Sequence, residues 1–156
     1  MSEVEGQLKD QDYFGVKESV RALGQYSTYI QAQLTLAHAE CGLGNAAEAM
    51  IIAETLIMAN PKNIEANQIR GYAHFLDGNI QDSLLFLNKA LEMDPGCIAA
   101  EKARVIIKLV SQCWSAAREA SSAGDHINAV ALYSGAIRTS FPLPPKATLY
   151  LMFHTE

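Results

Sequence analysis

Long apolar runs are missing from this 156-residue chain. No stretch reaches the roughly 18 consecutive apolar residues of a membrane-spanning helix. The opening MSEVEGQLKDQD is acidic and polar, where a secretory signal would be basic and then apolar. No membrane partner is therefore expected, and the expected location is the cytoplasm or the nucleus. Cysteine is scarce: Cys41, Cys97 and Cys113 are odd in number and form no CxxC pair. That arrangement suits reduced thiols acting as small core residues better than a disulfide framework. Positive charge is sparse too, with 12 basic against 17 acidic side chains and a net charge of −5. Residues 1–60 hold three basic and eight acidic side chains, whereas residues 97–156 hold six and four. Neither part has the dense basic stripe of a nucleic-acid surface, so no nucleic-acid partner is expected. There is no P-loop, nucleophile elbow, HExxH or paired-carboxylate arrangement either. The expectation is a folded protein that is not an enzyme and uses no cofactor or metal.

What the chain does contain is a repetition. GNAAEAMIIAETLIMANP, Gly44 to Pro61, is matched 34 residues later by GNIQDSLLFLNKALEMDP, Gly78 to Pro95, in length, first two residues and last residue. Gly44 and Gly78 each close a helical pattern, and Asn45 and Asn79 stand as N-caps of the next one. Apolar residues then recur at helical spacing: Met50, Ala53, Leu56 and Ile57 in one copy, Leu84, Leu87, Ala90 and Leu91 in the other. Upstream lie YIQAQLTLAHAEC and IEANQIRGYAHFL, and Asn-Pro or Asp-Pro ends each unit because proline disfavours helix at the residue before it. The unit is helix, turn, helix, breaker. Such a unit cannot bury its faces alone and stacks on its neighbours into an all-α solenoid.

A third copy, GDHINAVALYSGAIRTSFP, places its Gly124 46 residues after Gly78, twelve more than the period. Neither glycine nor proline occurs between Cys97 and Ala123, so the extra residues lengthen the first helix of this unit to about Ile98–Ser122. The expected division of the single domain is a partial repeat at 1–27, repeats at 30–63 and 64–97, a repeat with an extended first helix at 98–142, and an unfinished repeat at 146–156. That last segment carries Leu149, Tyr150, Leu151, Met152 and Phe153, where a solenoid end should be polar. It reads as a fragment, a truncated product or an end covered by a partner. FPLPP, Phe141 to Pro145, is an SH3-type ligand sequence or a simple helix terminator and linker.

The unit resembles the tetratricopeptide repeat (TPR), whose pattern has a small residue at position 8, Gly at 15, Ala at 20, a large residue at 24, Ala at 27 and Pro at 32. The first unit holds Ala37, Gly44, Ala49, Ala53, Leu56 and Pro61 there; the second holds Gly71, Gly78, Ser83, Leu87, Ala90 and Pro95. The third keeps Gly124, Ala129, Tyr133 and Ala136. The resemblance implies antiparallel helix pairs in a right-handed superhelix. AEC at Ala39–Cys41, NKALEMDP at Asn88–Pro95, the long spacer and AVALYSGAI at Ala129–Ile137 are also similar to the cytosolic co-chaperones that join TPR units to a J-domain. That likeness implies a scaffold for Hsp70 or Hsp90, although the His-Pro-Asp motif of a J-domain is missing from this chain.

In that family a two-carboxylate clamp of Lys, Asn and Arg holds the chaperones' acidic tails. The clamp positions here hold Leu34 and His38, Glu65 and Ile69, and Trp114, Arg118 and Met152. Only Arg118 suits a carboxylate, so tail binding by a full clamp is not expected. The concave face of a TPR superhelix is lined from the first helices, which makes Gln31, Leu34, His38, Gln68, Tyr72, Phe75, Trp114 and Arg118 the groove candidates, with Cys41, Glu65, Ser111 and Ser121 beside them. That lining is mostly uncharged with aromatic anchors, as an apolar helix or extended peptide would require. Alternatively, Tyr72, Phe75 and Trp114 pack between neighbouring units. A purely structural spacer without a peptide ligand is the competing expectation. His38, Cys41 and His74 fall short of a tetrahedral metal set, and His126 reads as an interhelix contact. Lys102, Arg104, Lys108 and Arg118 give the long helix a basic bias that fits a solvated face or an acidic partner.

Overall fold

The computed structural model describes residues 12–22 and 30–138. Among them the chain forms seven α-helices and no strand. These are α1 (Tyr13–Ala22), α2 (Ile30–Leu43), α3 (Ala46–Ala59), α4 (Ile64–Leu76), α5 (Ile80–Met93), α6 (Ile98–Ser122) and α7 (His126–Arg138). Each packs on the next, and α2 also touches α4, which in turn touches α6. The 25-residue α6 occupies the span that the missing Gly and Pro predict. The expectations for FPLPP and for the unfinished repeat at 146–156 lie outside the described residues.

The turns within helix pairs are built three times on one pattern. Gly44, Gly78 and Gly124 all sit at φ +81°, a conformation that glycine adopts without a Cβ clash. In each, the glycine N–H donates to the carbonyl three residues back and the next N–H donates five back: Asn45 to Glu40, Asn79 to His74 and Asp125 to Ala120. This double closure is the Schellman motif, which satisfies carbonyls the helix end leaves open. The turns between units repeat as well. The N–H of Asn63 donates to the carbonyl of Asn60 and that of Cys97 to the carbonyl of Asp94, while the Asn60 and Asp94 side chains accept from Lys62 and Gly96. Each is an Asx-stabilised turn with proline at its second position, where fixed φ helps.

The caps differ between copies. Asn79 accepts from the Asp82 N–H and Asp125 from the Asn128 N–H, as N-cap side chains do. Asn45 stands at the N-cap of α3, but its side chain makes no cap hydrogen bond. Its amide instead donates to the Glu40 carboxylate, 2.7 Å away, because a buried charge there has greater need of a donor.

Packing follows the repeat. Ala37, Gly71 and Ala117 are buried, as are Ala49, Ser83 and Ala129 on the facing second helices. At Gly71 an added Cβ would lie 2.9 Å from Cγ of Leu87 and 3.1 Å from the Ser83 carbonyl oxygen, so α4 and α5 approach too closely for a larger residue. Two core clusters result. One joins α2, α3 and α4 around Ala53, Leu56 and Ile69. The other joins α4 to α7 around Phe75, Leu87, Ile107 and Ala136. At the other end, α1 buries Val16 against Ala32 and Ala39, and the Tyr13 ring lies over Gly42.

Candidate functional site

Because α2, α4 and α6 form a row, side chains at corresponding positions on these three helices share a face. His38 on α2 reaches Glu65 on α4, with Nε2 3.1 Å from Oε1 and both side chains partly exposed. Gln31, two turns earlier on the same face of α2, is exposed. Tyr72 is half-buried near two thiols. Burial first, and then the Cys97 and Cys41 sulfurs, push its phenol up to about 12, so it is a neutral hydroxyl at physiological pH. Cys41 is likewise pushed up to about 12, by burial and then by the Glu40 carboxylate, and as a neutral thiol it is no nucleophile.

On α6, Trp114 packs against the cluster that contains Phe75, Ile107 and Val110. Its indole N–H is buried with no acceptor. Arg118, one turn further on, is exposed and makes no ion pair among the described residues. Gln31, His38, Tyr72, Trp114 and Arg118 therefore offer surface to a ligand.

Leu34, Gln68 and Phe75 do not, which departs from the groove expectation. Leu34 and Phe75 belong to the two core clusters, and the Gln68 amide, buried as well, is spent on Sγ of Cys97. The physical reason is the direct approach of α2 to α4 and of α4 to α6, which turns these positions into helix–helix contacts. For Phe75, packing between units is what the structure has. Among the described residues, His, Cys, Asp and Glu form no group of three able to hold a metal ion. His38 is engaged by Glu65, and His74 points to a different neighbour.

That neighbour is Phe86 on α5. The His74 and Phe86 rings stack at 5.4 Å with 9° between their planes. The Arg70 guanidinium lies 4.4 Å from the Phe86 centroid and the Lys89 ammonium 4.7 Å, while Arg70 also pairs with Glu54 of α3 at 3.4 Å. Sequence reading passed over this cluster, although Arg70 and His74 stand one turn apart on α4. His74 Nε2 is buried without a partner. Burial lowers the His74 pKa and outweighs the nearby carboxylates of Asp82, Asp77 and Glu54; Arg70 lowers it further.

A pH dependence follows. The unfolded chain takes up a proton near the ordinary histidine value of about 6.5, and the folded chain only at lower pH. The unfolded state thus holds more protons between the two values, so this contribution is present above about pH 6.5 and is lost as pH falls through the folded value. His74→Phe keeps the stack and removes the titration. Urea unfolding of both proteins at pH 7.5 and 5 should show a smaller loss of stability on acidification in the variant. An equal loss would exclude His74 as the source.

No protein-family model matches the chain, and no curated protein does. No helix among the described residues is long and apolar enough to cross a membrane. The functional reading therefore rests on repeat geometry and on the face of α2, α4 and α6.

Proposed function

We propose that the chain is a TPR-type α-solenoid, a right-handed superhelix of antiparallel helix pairs, acting as a protein–protein interaction module. It binds a segment of a partner protein along α2, α4 and α6, using His38, Tyr72, Trp114 and Arg118, and performs no chemistry of its own. The observation that carries this reading is the recurrence of whole hydrogen-bonded turns in register: Gly44 with Gly78, and Asn60–Asn63 with Asp94–Cys97. Repetition of that kind is characteristic of stacked helix pairs, which present one long face to a partner. The proposed setting is a cytoplasmic scaffold associated with Hsp70 or Hsp90. Contact with the chaperone would not use a full carboxylate clamp, since Arg118 is the one clamp-position cation.

A second reading, a structural spacer with no peptide ligand, is favoured by the burial of Leu34, Gln68 and Phe75. Immobilised full-length chain, incubated with cytosolic lysate and probed for Hsp70 and Hsp90, separates the two. The interaction reading expects recovery of one chaperone, with at least a fivefold loss in Trp114→Ala combined with Arg118→Ala. Recovery that disappears when the chaperone's acidic tail is deleted would restore clamp binding. Failure to recover either chaperone would leave the spacer reading in place.

A further inference from the structure

Among the described residues, the twelve extra residues of the third unit leave one helix position beside α6 unfilled. In the first two units the small residue at position 8, Ala37 and then Gly71, lies beneath the second helix of its own pair, and both are buried. The residue one period further on is Val105, on the first half of α6. A unit of ordinary length would turn after about Val110 and lay its second helix over Val105. Here the helix runs on to Ser122, and it is Ala117 that is buried as the small residue of the pair formed with α7. Val105 is left 53% exposed.

Its surroundings have the character of an unfilled packing site. Ala100, Ala103, Ile107 and Val110 form the buried stripe of α6, shared with Leu87 and Ala90 of α5. On the opposite side, Ile98 (68% exposed) and Leu109 (42% exposed) align with Val105 within about 40° around the helix, with Glu101 and Lys102 in the turn between Ile98 and Val105. Scattered exposed apolar residues are ordinary on a protein surface, but three in one line on a helix face are the arrangement on which a second helix packs. One lysine stands on each flank of this line, Lys102 and Lys108, both exposed and neither in an ion pair among the described residues. The remaining charges of this half-helix cancel, since Arg104 lies 2.6 Å from Glu101.

We infer that this position takes the amphipathic helix of a partner protein: about three turns long, apolar along one stripe and acidic on both flanks. The apolar stripe packs on Ile98, Val105 and Leu109 as a second helix packs on its first, and the flanking carboxylates meet Lys102 and Lys108. The surface is distinct from His38, Tyr72, Trp114 and Arg118, so the inference stands or falls separately from the binding of a segment along α2 and α4.

The test uses a fluorescein-labelled 14-residue peptide with leucine at helical a and d spacing and glutamate on both flanks. A lysine-flanked version and a scrambled version serve as comparisons. Anisotropy titrations of the full-length chain should show the acidic peptide binding at least tenfold more tightly than either. Val105→Asp should abolish that preference while leaving the helical circular dichroism unchanged, because the side chain is exposed. Lys102→Glu combined with Lys108→Glu should reverse it, making the lysine-flanked peptide the tighter ligand. Trp114→Ala with Arg118→Ala should leave it intact. Equal binding of the acidic and scrambled peptides, or binding indifferent to Val105→Asp, would overturn the inference. So would a self-associated chain that Val105→Asp renders monomeric, since the occupant would then be a second copy.

Discussion

Replacing Leu87 by alanine should destabilise the fold by about 3 to 4 kcal/mol, the range for deleting a fully buried leucine side chain where neighbours cannot close the gap. Leu87 has no solvent exposure and sits between Gly71 of α4 and the buried alanines of α5 and α6. The sites around it are already small: Gly71, Ala90, Ala100 and Ala103 have no longer side chain with which to fill the space. Helix backbones held apart by Phe75 and Ile107 cannot collapse far enough to replace the lost contacts. A domain of ordinary stability has about 5 to 15 kcal/mol in all, so the loss is a large share of it. Urea unfolding followed by helical circular dichroism measures it directly. A cost under about 1 kcal/mol would mean that α5 repacks freely, contrary to the close approach at Gly71.

Lys17→Met should have a comparable effect through a different mechanism. Glu40 is a buried carboxylate near the end of α2, and Lys17 of α1 reaches both its oxygens, at 2.9 and 3.1 Å. Among the described residues its other hydrogen-bond donor is the Asn45 amide. Methionine retains most of the aliphatic stem of lysine but leaves the carboxylate, among the described residues, with one neutral donor. Breaking a buried pair by removing one member costs about 3 to 5 kcal/mol, because the charge left behind has been taken out of water. The Asn45 amide offsets part of that, so about 3 kcal/mol is expected. Lys17→Met combined with Glu40→Gln should recover more than half of the loss, since no uncompensated charge then remains. If single and double variants unfold at the same urea concentration, the pair contributes packing and not charge compensation.

Neither effect could be read from the sequence alone, and the reason is the same for both. Leu87 was legible as one apolar position in a stripe, but its rank within the core depends on how closely Gly71 brings α4 to α5. Glu40 stood in the sequence as a lone charge between Ala39 and Cys41, a signal that something must meet it, yet Lys17 lies 23 residues away. The turn glycines were legible because their hydrogen bonds close within five residues. Asn45 shows where local reasoning stops. It has the residue type and the position of Asn79, but a buried carboxylate within reach draws its amide away from the cap.

The candidate face divides along the same line. His38, Tyr72, Trp114 and Arg118 could be named from their place in the repeat, and they are accessible at least in part. Leu34, Gln68 and Phe75 occupy equally suggestive places, but neighbouring first helices cover them, and coverage depends on interhelix distance and not on residue type. The sequence by itself determined the period, the three glycine turns and the length of α6, since each is set by hydrogen bonds and backbone preferences spanning a few residues. Only the tertiary structure decided which positions of that period are sealed, which charges are paired, and that Val105 stands exposed on a helix nearly twice as long as its repeat requires. Burial is a property of what arrives from a distance along the chain, and among the described residues no second helix of its own unit arrives at Val105.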